Sequence, residues 1–398
     1  MGDDNDGGRK RRGVNGRPIR VEDYRLLARR RLPRMVFDYL DGGAEDEKGL
    51  RHNRAVFDRW RFVPQRLVDV SSRSLETRFT GHILPMPLAI APTGLNALFW
   101  PQGDAVLAGA AARAGIPFIL STASTMSIED VARRCDGDRW FQLYILHSDH
   151  ADEMVARALA ADYSTLVITT DVGVNGYRER DLRNRFGLPV RYTLRTLFDG
   201  ATHPRWSLDL LRHGMPALAN FVSADAANVE VQAALMSRQM DASFDWEALA
   251  RLRDRWPRTL LVKGLLNPQD AKRAVELGAD GVILSNHGGR QLDHAVSPME
   301  VLSRTVAVVP DSPVLIDSGF RRGSDVVKAL ALGAGIVLIG RATLYGLAAC
   351  GGRGVDDVLR MMRDEIDRTL AQIGCPSVAA LSSDYLVEDP SPLSERSS

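Results

Sequence analysis

Short apolar, β-branched segments alternate with longer amphipathic segments through most of this 398-residue chain, and this alternation limits the possible folds more than any other feature. The segments that read as strands are residues 87–92, 117–122, 139–145, 165–170, 259–263, 281–285, 313–317 and 335–340. Helical patterns lie between them, among them residues 127–134, 245–256, 268–277 and 324–332, and several begin with Ser, Asp or Pro in capping positions. Eight βα units close into a parallel barrel. The sequence therefore predicts an α/β fold, a (β/α)8 TIM barrel, with its active site at the carboxyl ends of the strands.

The same pattern suggests where the folded domain begins and ends. Residues 1–20 contain Gly, Asp and a run of basic residues without an apolar core, which predicts a disordered tail. Residues 21–386 are predicted to form one barrel domain with an N-terminal helical extension, followed by a C-terminal tail at residues 387–398. The interval after the fourth strand is far longer than one crossover helix requires, so we expect a long insertion there.

Residues 187–228 of this insertion combine large apolar side chains with arginines, among them Trp206, Phe221, Arg205 and Arg212. Such a composition suits a segment that lies in a membrane interface. A mobile substrate lid or a partner contact would have the same composition. Composition alone leaves these interpretations open.

Charge and cysteine content exclude two classes of protein. The formal net charge of +1 argues against nucleic-acid binding, because surfaces that follow a phosphate backbone carry a marked basic excess. Cys135, Cys350 and Cys375 share no ligand spacing, so neither a disulfide framework nor a metal site is expected. A reducing cytosol suits this cysteine usage.

The run Ser-Asn-His-Gly-Gly-Arg-Gln-Leu-Asp at residues 285–293 directly follows the sixth predicted strand. Paired glycines let the backbone turn tightly and approach a flat ligand. His287 can move a proton, and Arg290 can bind a carboxylate with two parallel hydrogen bonds. The motif therefore predicts acid–base chemistry on an anionic substrate.

Other strand ends would bring further polar groups to the same rim. Gln142 and Tyr144 end the third strand on one face, and the fourth strand ends at Thr169 and continues into Asp171. Lys263 ends the fifth strand, where a buried charge is costly unless it meets an anion. A lysine that reaches out to water is the simpler alternative for this residue.

The loops after the seventh and eighth strands are where such barrels hold phosphate. Asp317, Gly319 and Arg321 follow the seventh strand, and Gly340 and Arg341 end the eighth. Glycines and helix N-termini offer backbone N–H groups to a phosphate, and arginines add charge. No Rossmann or P-loop glycine motif occurs, so the implied ligand has one phosphate and a flat ring.

Together with residues 38–47, 175–182 and 234–240, the motif at residues 285–293 resembles the FMN-dependent α-hydroxy-acid oxidising enzymes, and the resemblance spans residues 21–386. It implies that His287 is the general base, assisted by Asp171, and that Arg178, Arg290 and Tyr39 hold the substrate carboxylate while Tyr144 bonds the substrate hydroxyl. It also implies a set of residues around FMN: Pro92, Thr93, Gly94, Ser121, Gln142, Thr169, Lys263 and Ser285 at the ring, Asp317 at the ribityl chain, and Gly319, Arg321, Gly340 and Arg341 at the phosphate.

The resemblance further implies oxidation of an aromatic 2-hydroxy acid, (S)-mandelate above all, to the 2-oxo acid. Electrons would pass to a quinone or another membrane acceptor, with the protein peripheral at the cytoplasmic side of the inner membrane and assembled as a homotetramer. The alternative is a cytosolic oxidase of lactate, glycolate or hydroxymandelate that uses O2 and produces H2O2. Gly94 stands where the oxidases of the family usually have Ala, which favours an acceptor other than oxygen. An FMN isomerase and a non-catalytic membrane scaffold are further possibilities, and the motif argues against both.

Overall fold

The computed structural model describes residues 16–145, 148–186, 194–221 and 241–389. Three short strands, β1 (Trp60–Phe62), β2 (Thr77–Phe79) and β3 (His82–Leu84), precede the barrel. The barrel strands are β4 (Leu88–Ile90), β5 (Phe118–Ser121), β6 (Arg139–Tyr144), β7 (Thr165–Thr169), β8 (Thr259–Leu265), β9 (Gly281–Leu284), β10 (Val314–Ile316) and β11 (Val337–Ile339), and β12 (Leu386–Glu388) follows near the C-terminus. Strands β4 to β11 are parallel and close in sequence order, so the predicted (β/α)8 barrel is confirmed.

The helices before and within the first half of the barrel are α1 (Val21–Arg31), α2 (Arg34–Asp41), α3 (Lys48–Ala55), α4 (Gly103–Ala114), α5 (Ile128–Arg134), α6 (Ser148–Ala160), α7 (Glu179–Arg183), α8 (Leu194–Ala201) and α9 (Pro204–His213). Those of the second half are α10 (Trp246–Arg255), α11 (Pro268–Glu276), α12 (Pro298–Val308), α13 (Gly323–Ala331) and α14 (Arg341–Ile373), which is kinked at Cys350 and Gly351. Side-chain N-caps stabilise the first turns of α5 and α10: the Ser127 side chain accepts a hydrogen bond from Asp130 N, and the Asp245 side chain accepts one from Ala248 N.

Inward-facing side chains fill the barrel and are packed at its amino-terminal end by the β2–β3 hairpin. The interior cluster includes Ile119, Val167, Leu261 and Leu338, all buried, together with Phe79 of the hairpin. The Phe79 ring lies 5.1 Å from the ring of Trp140. This packing closes one end of the barrel and leaves the carboxyl-terminal rim as the open end.

The N-terminal extension reaches this rim. Helix α1 packs along α14, and α2 ends at Asp41, where Gly42 and Gly43 begin the path across the open end. At the other end of the chain, β12 pairs antiparallel with β1 and Phe62 faces Leu386. This pairing carries the fold to Glu388, two residues beyond the predicted domain boundary at residue 386. Residues 1–15 and 390–398, which hold most of the predicted tails, lie outside the described part of the chain.

The described part of the insertion, residues 194–221, contains α8 and α9. Helix α9 is held on the barrel by Trp206, whose Nε1 donates to Leu98 O at 2.7 Å, and by Asp209, which pairs with Arg31 at 2.7 Å. Phe198 and Leu211 are 74% and 80% exposed. Within the described ranges, no helix is both long and apolar enough to cross a membrane. Residues 187–193 and 222–228 of the predicted insertion, and the motif at residues 234–240, lie outside these ranges.

Candidate active site

One cavity at the carboxyl-terminal rim brings together nearly all the side chains that the sequence singled out. Its lining includes Tyr39, Pro92, Thr93, Gly94, Gln142, Tyr144, Thr169, Arg178, Lys263, His287, Arg290, Asp317, Gly319, Arg321, Gly340 and Arg341. Three of the predicted residues lie directly behind this lining: Asp171 contacts His287, Ser121 donates to Gln142, and Ser285 accepts from Lys263. Residues from all parts of the barrel sequence therefore meet in one place.

The imidazole of His287 is held by a left-handed turn. His287 has φ +56°, and Gly288 and Gly289 continue with φ +66° and +75°, a backbone path that glycine adopts without strain. The main-chain N–H of His287 donates to Ser285 Oγ at 3.0 Å, and the N–H of Gly288 donates to Ser318 Oγ at 3.1 Å. These bonds fix the direction in which the histidine leaves the strand.

His287 Nδ1 lies 3.0 Å from Asp171 Oδ1. Burial lowers the pKa of His287, although the carboxylate of Asp171 acts in the opposite direction. Burial alone would raise the pKa of Asp171, but the charges of His287 and Lys263 hold it below its ordinary value. The pair therefore consists of a neutral imidazole and an ionised carboxylate near neutral pH, which leaves Nε2 as the proton acceptor.

Gly264 on β8 makes room for this carboxylate. A Cβ built on Gly264 would lie 2.8 Å from Asp171 Cβ and 2.9 Å from its Cγ, which is closer than carbon atoms pack. The strand register also shifts between Lys263 and Leu265, and Gly264 has φ +103°. Strand β8 also extends past the predicted end at residue 263 to Leu265, and the irregularity within it lets Asp171 approach the strand.

Two arginines and a tyrosine form the wall next to His287. Arg290 Nη1 donates to the main-chain oxygens of Tyr39 and Gly42 at 2.6 and 3.0 Å, and Arg178 Nε donates to Arg290 O at 3.3 Å. The guanidinium of Arg290 lies 4.9 Å from the centre of the Tyr39 ring, and that ring stacks on Phe186 at 4.5 Å. Burial and the charge of Arg178 lower the pKa of Arg290 to about 9, which still leaves the guanidinium protonated at neutral pH. A substrate carboxylate can therefore pair with it.

Tyr144 stands on the same side of the cavity, with its ring centre 6.5 Å from that of His287. Burial raises the pKa of Tyr144, so its hydroxyl stays protonated and can donate a hydrogen bond. The substrate groups that the sequence predicted, a carboxylate and a hydroxyl, would thus find donors on one face.

Lys263 is buried at the inner end of the cavity. Its Nζ donates to Ser285 Oγ at 2.8 Å and lies 3.3 Å from Asp317 Oδ2. Burial acts to lower the pKa of Lys263, but Asp317 and Asp171 raise it above the ordinary value, so the side chain stays charged. The simpler alternative of a lysine that reaches out to water does not hold, since Lys263 is only 3% exposed.

Two buried polar atoms near this lysine fit a flavin ring. Gln142 Nε2 and Thr169 Oγ1 have no hydrogen-bond partner among the described residues, and both side chains line the cavity. Ser121 Oγ donates to Gln142 Oε1 at 2.9 Å, which leaves the amide nitrogen as a free donor. Buried polar groups without partners are rare in folded proteins, so these two atoms suit the carbonyl and nitrogen atoms of a bound isoalloxazine.

The residues predicted to hold a phosphate differ in one respect from expectation. Gly319 has φ +94°, and a Cβ there would lie 2.0 Å from Asn53 O, so only glycine fits. Arg321 lines the cavity with its guanidinium 5.4 Å from the Tyr345 ring centre. Arg341, by contrast, uses three nitrogens to donate to the main-chain oxygens of Leu40, Gly42 and Gly288 at 3.1, 2.7 and 2.8 Å. Arg341 therefore ties the end of α2 to the His287 turn in addition to facing the cavity.

Sequence reasoning assigned no role to several residues that position the site. Gln291 donates through Nε2 to the main-chain oxygens of Asp171 and Val174 at 2.8 and 3.1 Å, and its Oε1 accepts from Gly176 N at 2.9 Å. The side-chain amides of Asn53 and Asn286 form a double hydrogen bond, 2.8 Å in each direction. Gln291 and Asn286 lie inside the motif at residues 285–293, which was a usable signal, whereas Asn53 in α3 gave none.

Closed parallel barrels host many reactions, and the rim of this one, with a buried lysine beside polar atoms that lack partners, fits an oxidoreductase that carries a flavin mononucleotide. The chain belongs to the family of FMN-dependent dehydrogenases, whose family model matches residues 28–388, and its cofactor is FMN. The predicted family resemblance is thereby confirmed, and the protein is an FMN-dependent oxidoreductase.

Individual relatives align with nearly the whole length of this chain. Over 366 residues, 92% of this chain and 93% of the relative, it is 67% identical to (S)-mandelate dehydrogenase from Pseudomonas putida. It is 40% identical to L-lactate dehydrogenase from Pectobacterium atrosepticum over 92% of this chain and 96% of that relative. The crystal structure of the monotopic membrane protein (S)-mandelate dehydrogenase matches with a TM-score of 0.93 at 65% identity, covering 94% of this chain and 100% of that chain.

Proposed function

We propose that this protein oxidises (S)-mandelate, or a closely related aromatic 2-hydroxy acid, to the 2-oxo acid. The observation that carries the proposal is the convergence of the His287–Asp171 pair and two arginines on one side of a cavity that ends at the buried Lys263. The 67% identity to (S)-mandelate dehydrogenase supports the aromatic substrate over lactate, since the lactate enzyme is only 40% identical.

Each side chain in the cavity has a role in the reaction that follows from its charge and hydrogen-bonding groups. Arg178, Arg290 and the hydroxyl of Tyr39 hold the substrate carboxylate, and Tyr144 donates to the substrate hydroxyl. His287 Nε2 removes a proton from the substrate, from the α-carbon or from the hydroxyl, and Asp171 stabilises the imidazolium that forms. Bound FMN supplies the two-electron acceptor.

Other residues would hold the cofactor. Gln142 and Thr169 would bond the ring, and Ser121, predicted to bond it directly, would instead orient the Gln142 amide from behind the lining. Pro92, Thr93, Gly94 and Ser285 would lie close to the ring, Asp317 would bond the ribityl chain, and Gly319, Arg321, Gly340 and Arg341 would surround the phosphate. Lys263 would stabilise negative charge on the reduced ring, because a buried ammonium interacts strongly in a low-dielectric site.

We further propose that electrons leave to a quinone in the membrane and that the protein binds the cytoplasmic side of the bilayer peripherally. The exposed Phe198 and Leu211 of the insertion suit an interfacial contact, and the relative of known structure is monotopic. Gly94 stands where the oxidases of the family usually have Ala, which supports a slow reaction of the reduced flavin with oxygen. The homotetramer expected from the resemblance is checked by light scattering of the detergent-free and detergent-bound protein.

An anaerobic absorption spectrum tests the reaction. The purified protein should be yellow, and (S)-mandelate should bleach the flavin band within one turnover. His287→Asn should keep the flavin and lose the rapid bleaching, whereas a flavin that stays oxidised in the wild-type protein contradicts the proposal. Rapid oxygen uptake with (S)-mandelate and no added dye would instead identify an oxidase.

A further inference from the structure

A second cavity, of about 340 Å³, lies between the barrel rim and the insertion. Residues 97–102, which follow β4, form one wall, and α9 with residues 214–217 forms the opposite wall. Its large apolar side chains are Leu98, Phe99 and Trp100 on the first wall and Trp206, Leu210 and Met215 on the second, and apolar atoms make up a little more than half of the lining. Its volume is within the range of pockets that hold small organic ligands, about 300–1,000 Å³.

Phe99 separates this cavity from the active site. It lines both cavities and is only 1% exposed, and its ring lies 6.2 Å from the ring of Tyr39. A planar ligand in the second cavity would therefore be separated from the flavin cavity by little more than one aromatic side chain. Such proximity favours electron transfer between the two sites and has no evident use for a purely structural cavity.

The outer wall of the cavity belongs to the segment that we place at the membrane. Leu208 and Leu211 of α9 are 49% and 80% exposed, while Trp206 and Leu210 of the same helix line the cavity. The outer side of this helix thus combines two exposed leucines with the exposed Arg205 and Arg212, while its inner side lines the cavity with apolar side chains. A ligand dissolved in the bilayer could reach the inner surface without passing through water.

A few polar groups in the lining match a ring that carries carbonyl or hydroxyl groups. His213 Nδ1 bonds Asp209 O at 2.8 Å, which places the proton on Nδ1 and leaves Nε2 as an acceptor in the neutral ring. Gln102 Oε1 accepts from Arg134 at 3.0 Å, so the amide nitrogen of Gln102 remains a donor. Donor and acceptor together suit a group that changes between carbonyl and hydroxyl.

From these observations, and resting on the proposed function, we propose that this cavity is the binding site for the ring of the membrane quinone that reoxidises the protein. The quinone takes up two electrons from the reduced cofactor and two protons from water or the lining, and leaves as the quinol, while the cofactor returns to its oxidised form. The two indoles and the phenyl ring of the lining stack on planar rings, a surface that a lipid acyl chain does not require.

The test uses the FMN-loaded protein and a benzoquinone with a decyl side chain as the probe. Ala217 lines the cavity, so Ala217→Phe should obstruct it by placing a phenyl ring inside. Ala201→Phe, on an exposed residue of α8 outside the lining, is the matched control. Quinone binding is followed by quenching of tryptophan fluorescence, because Trp100 and Trp206 both line the cavity. Ala217→Phe should weaken binding and slow reoxidation of the (S)-mandelate-reduced protein by tenfold or more, and Ala201→Phe should change neither by more than twofold.

Different failures identify different errors. If (S)-mandelate does not bleach the flavin, the proposed function is wrong, and the quenching experiment still reports on the cavity. If Ala217→Phe binds the quinone like the wild-type protein, or if decyl alcohol displaces the quinone at equal affinity, the quinone site is refuted. Should Ala217→Phe not fold, the smaller Ala217→Leu must still weaken quinone binding severalfold.

Discussion

Asp171→Asn is the most informative change in the active site, because it removes one charge and nearly keeps the shape of the side chain. Asp171 Oδ1 and His287 Nδ1 are 3.0 Å apart. At an effective dielectric constant of about 20, opposite charges at this distance attract by about 5.5 kcal/mol, an upper limit for the stabilisation of the imidazolium. Asparagine keeps a neutral hydrogen bond of about 1–1.5 kcal/mol. The remaining loss, at most about 4–4.5 kcal/mol, corresponds to a proton transfer that is slower by up to about 10³-fold.

The assay is anaerobic stopped-flow reduction of the flavin by (S)-mandelate between pH 5 and 9. Because Asp171 raises the pKa of His287, its removal should lower that pKa further. The acid limb of the rate profile should therefore move to lower pH even though the rate falls at every pH. A merely structural change would slow the reaction without this movement of the limb.

Asp162→Asn is the matched control. Asp162 is 79% exposed and pairs with Arg258 at 2.7 Å, outside the lining of the active-site cavity, so its replacement should alter the rate by less than twofold. A rate for Asp171→Asn within fivefold of the wild-type protein, or an acid limb displaced to higher pH, would refute the role assigned to this carboxylate.

Three further changes test the cofactor end and the fold. Lys263→Met should make the flavin midpoint potential about 30–60 mV more negative, equivalent to about 1.4–2.8 kcal/mol for two electrons, and a potential that rises in a dye-coupled titration contradicts the role of the lysine. Gly319→Ala, whose Cβ would lie 2.0 Å from Asn53 O, should release FMN and lower the Tm by several degrees, whereas Gly335→Ala, with its nearest atom at 3.9 Å, should do neither. Burial acts to raise the pKa of Asp41, but Arg25 and Tyr345 help to hold it at about 2. The ionised carboxylate therefore contributes about 2 kcal/mol to the free energy of unfolding above pH 4, and this contribution is lost as the pH falls towards 2. In urea unfolding, Asp41→Asn should lose less free energy of unfolding than the wild-type protein between about pH 4 and pH 2. An equal loss in both proteins would argue against the ion pair.

The barrel could be predicted because each strand carries its own signal, a short apolar run between turn residues. The pairing of β1 with β12 and the β2–β3 hairpin could not, since their stability comes from partners distant in the sequence or from burial of Phe79 against Trp140. Likewise, many residues that face the cavity could be predicted from strand ends, whereas Tyr39 in α2 and Arg178 before α7 were indicated by the family resemblance. Asn53 and the carbonyl contacts of Arg341 were not, because they depend on how the N-terminal extension crosses the rim.

The position of Asp171 beside His287 depends on the absence of a Cβ atom at Gly264. No polar group of Gly264 takes part in proton transfer, yet any larger residue there would push the carboxylate away from the imidazole. A search for functional positions restricted to ionisable side chains would pass over this one. We therefore expect Gly264, which has no side chain, to tolerate substitution least among the residues of β8.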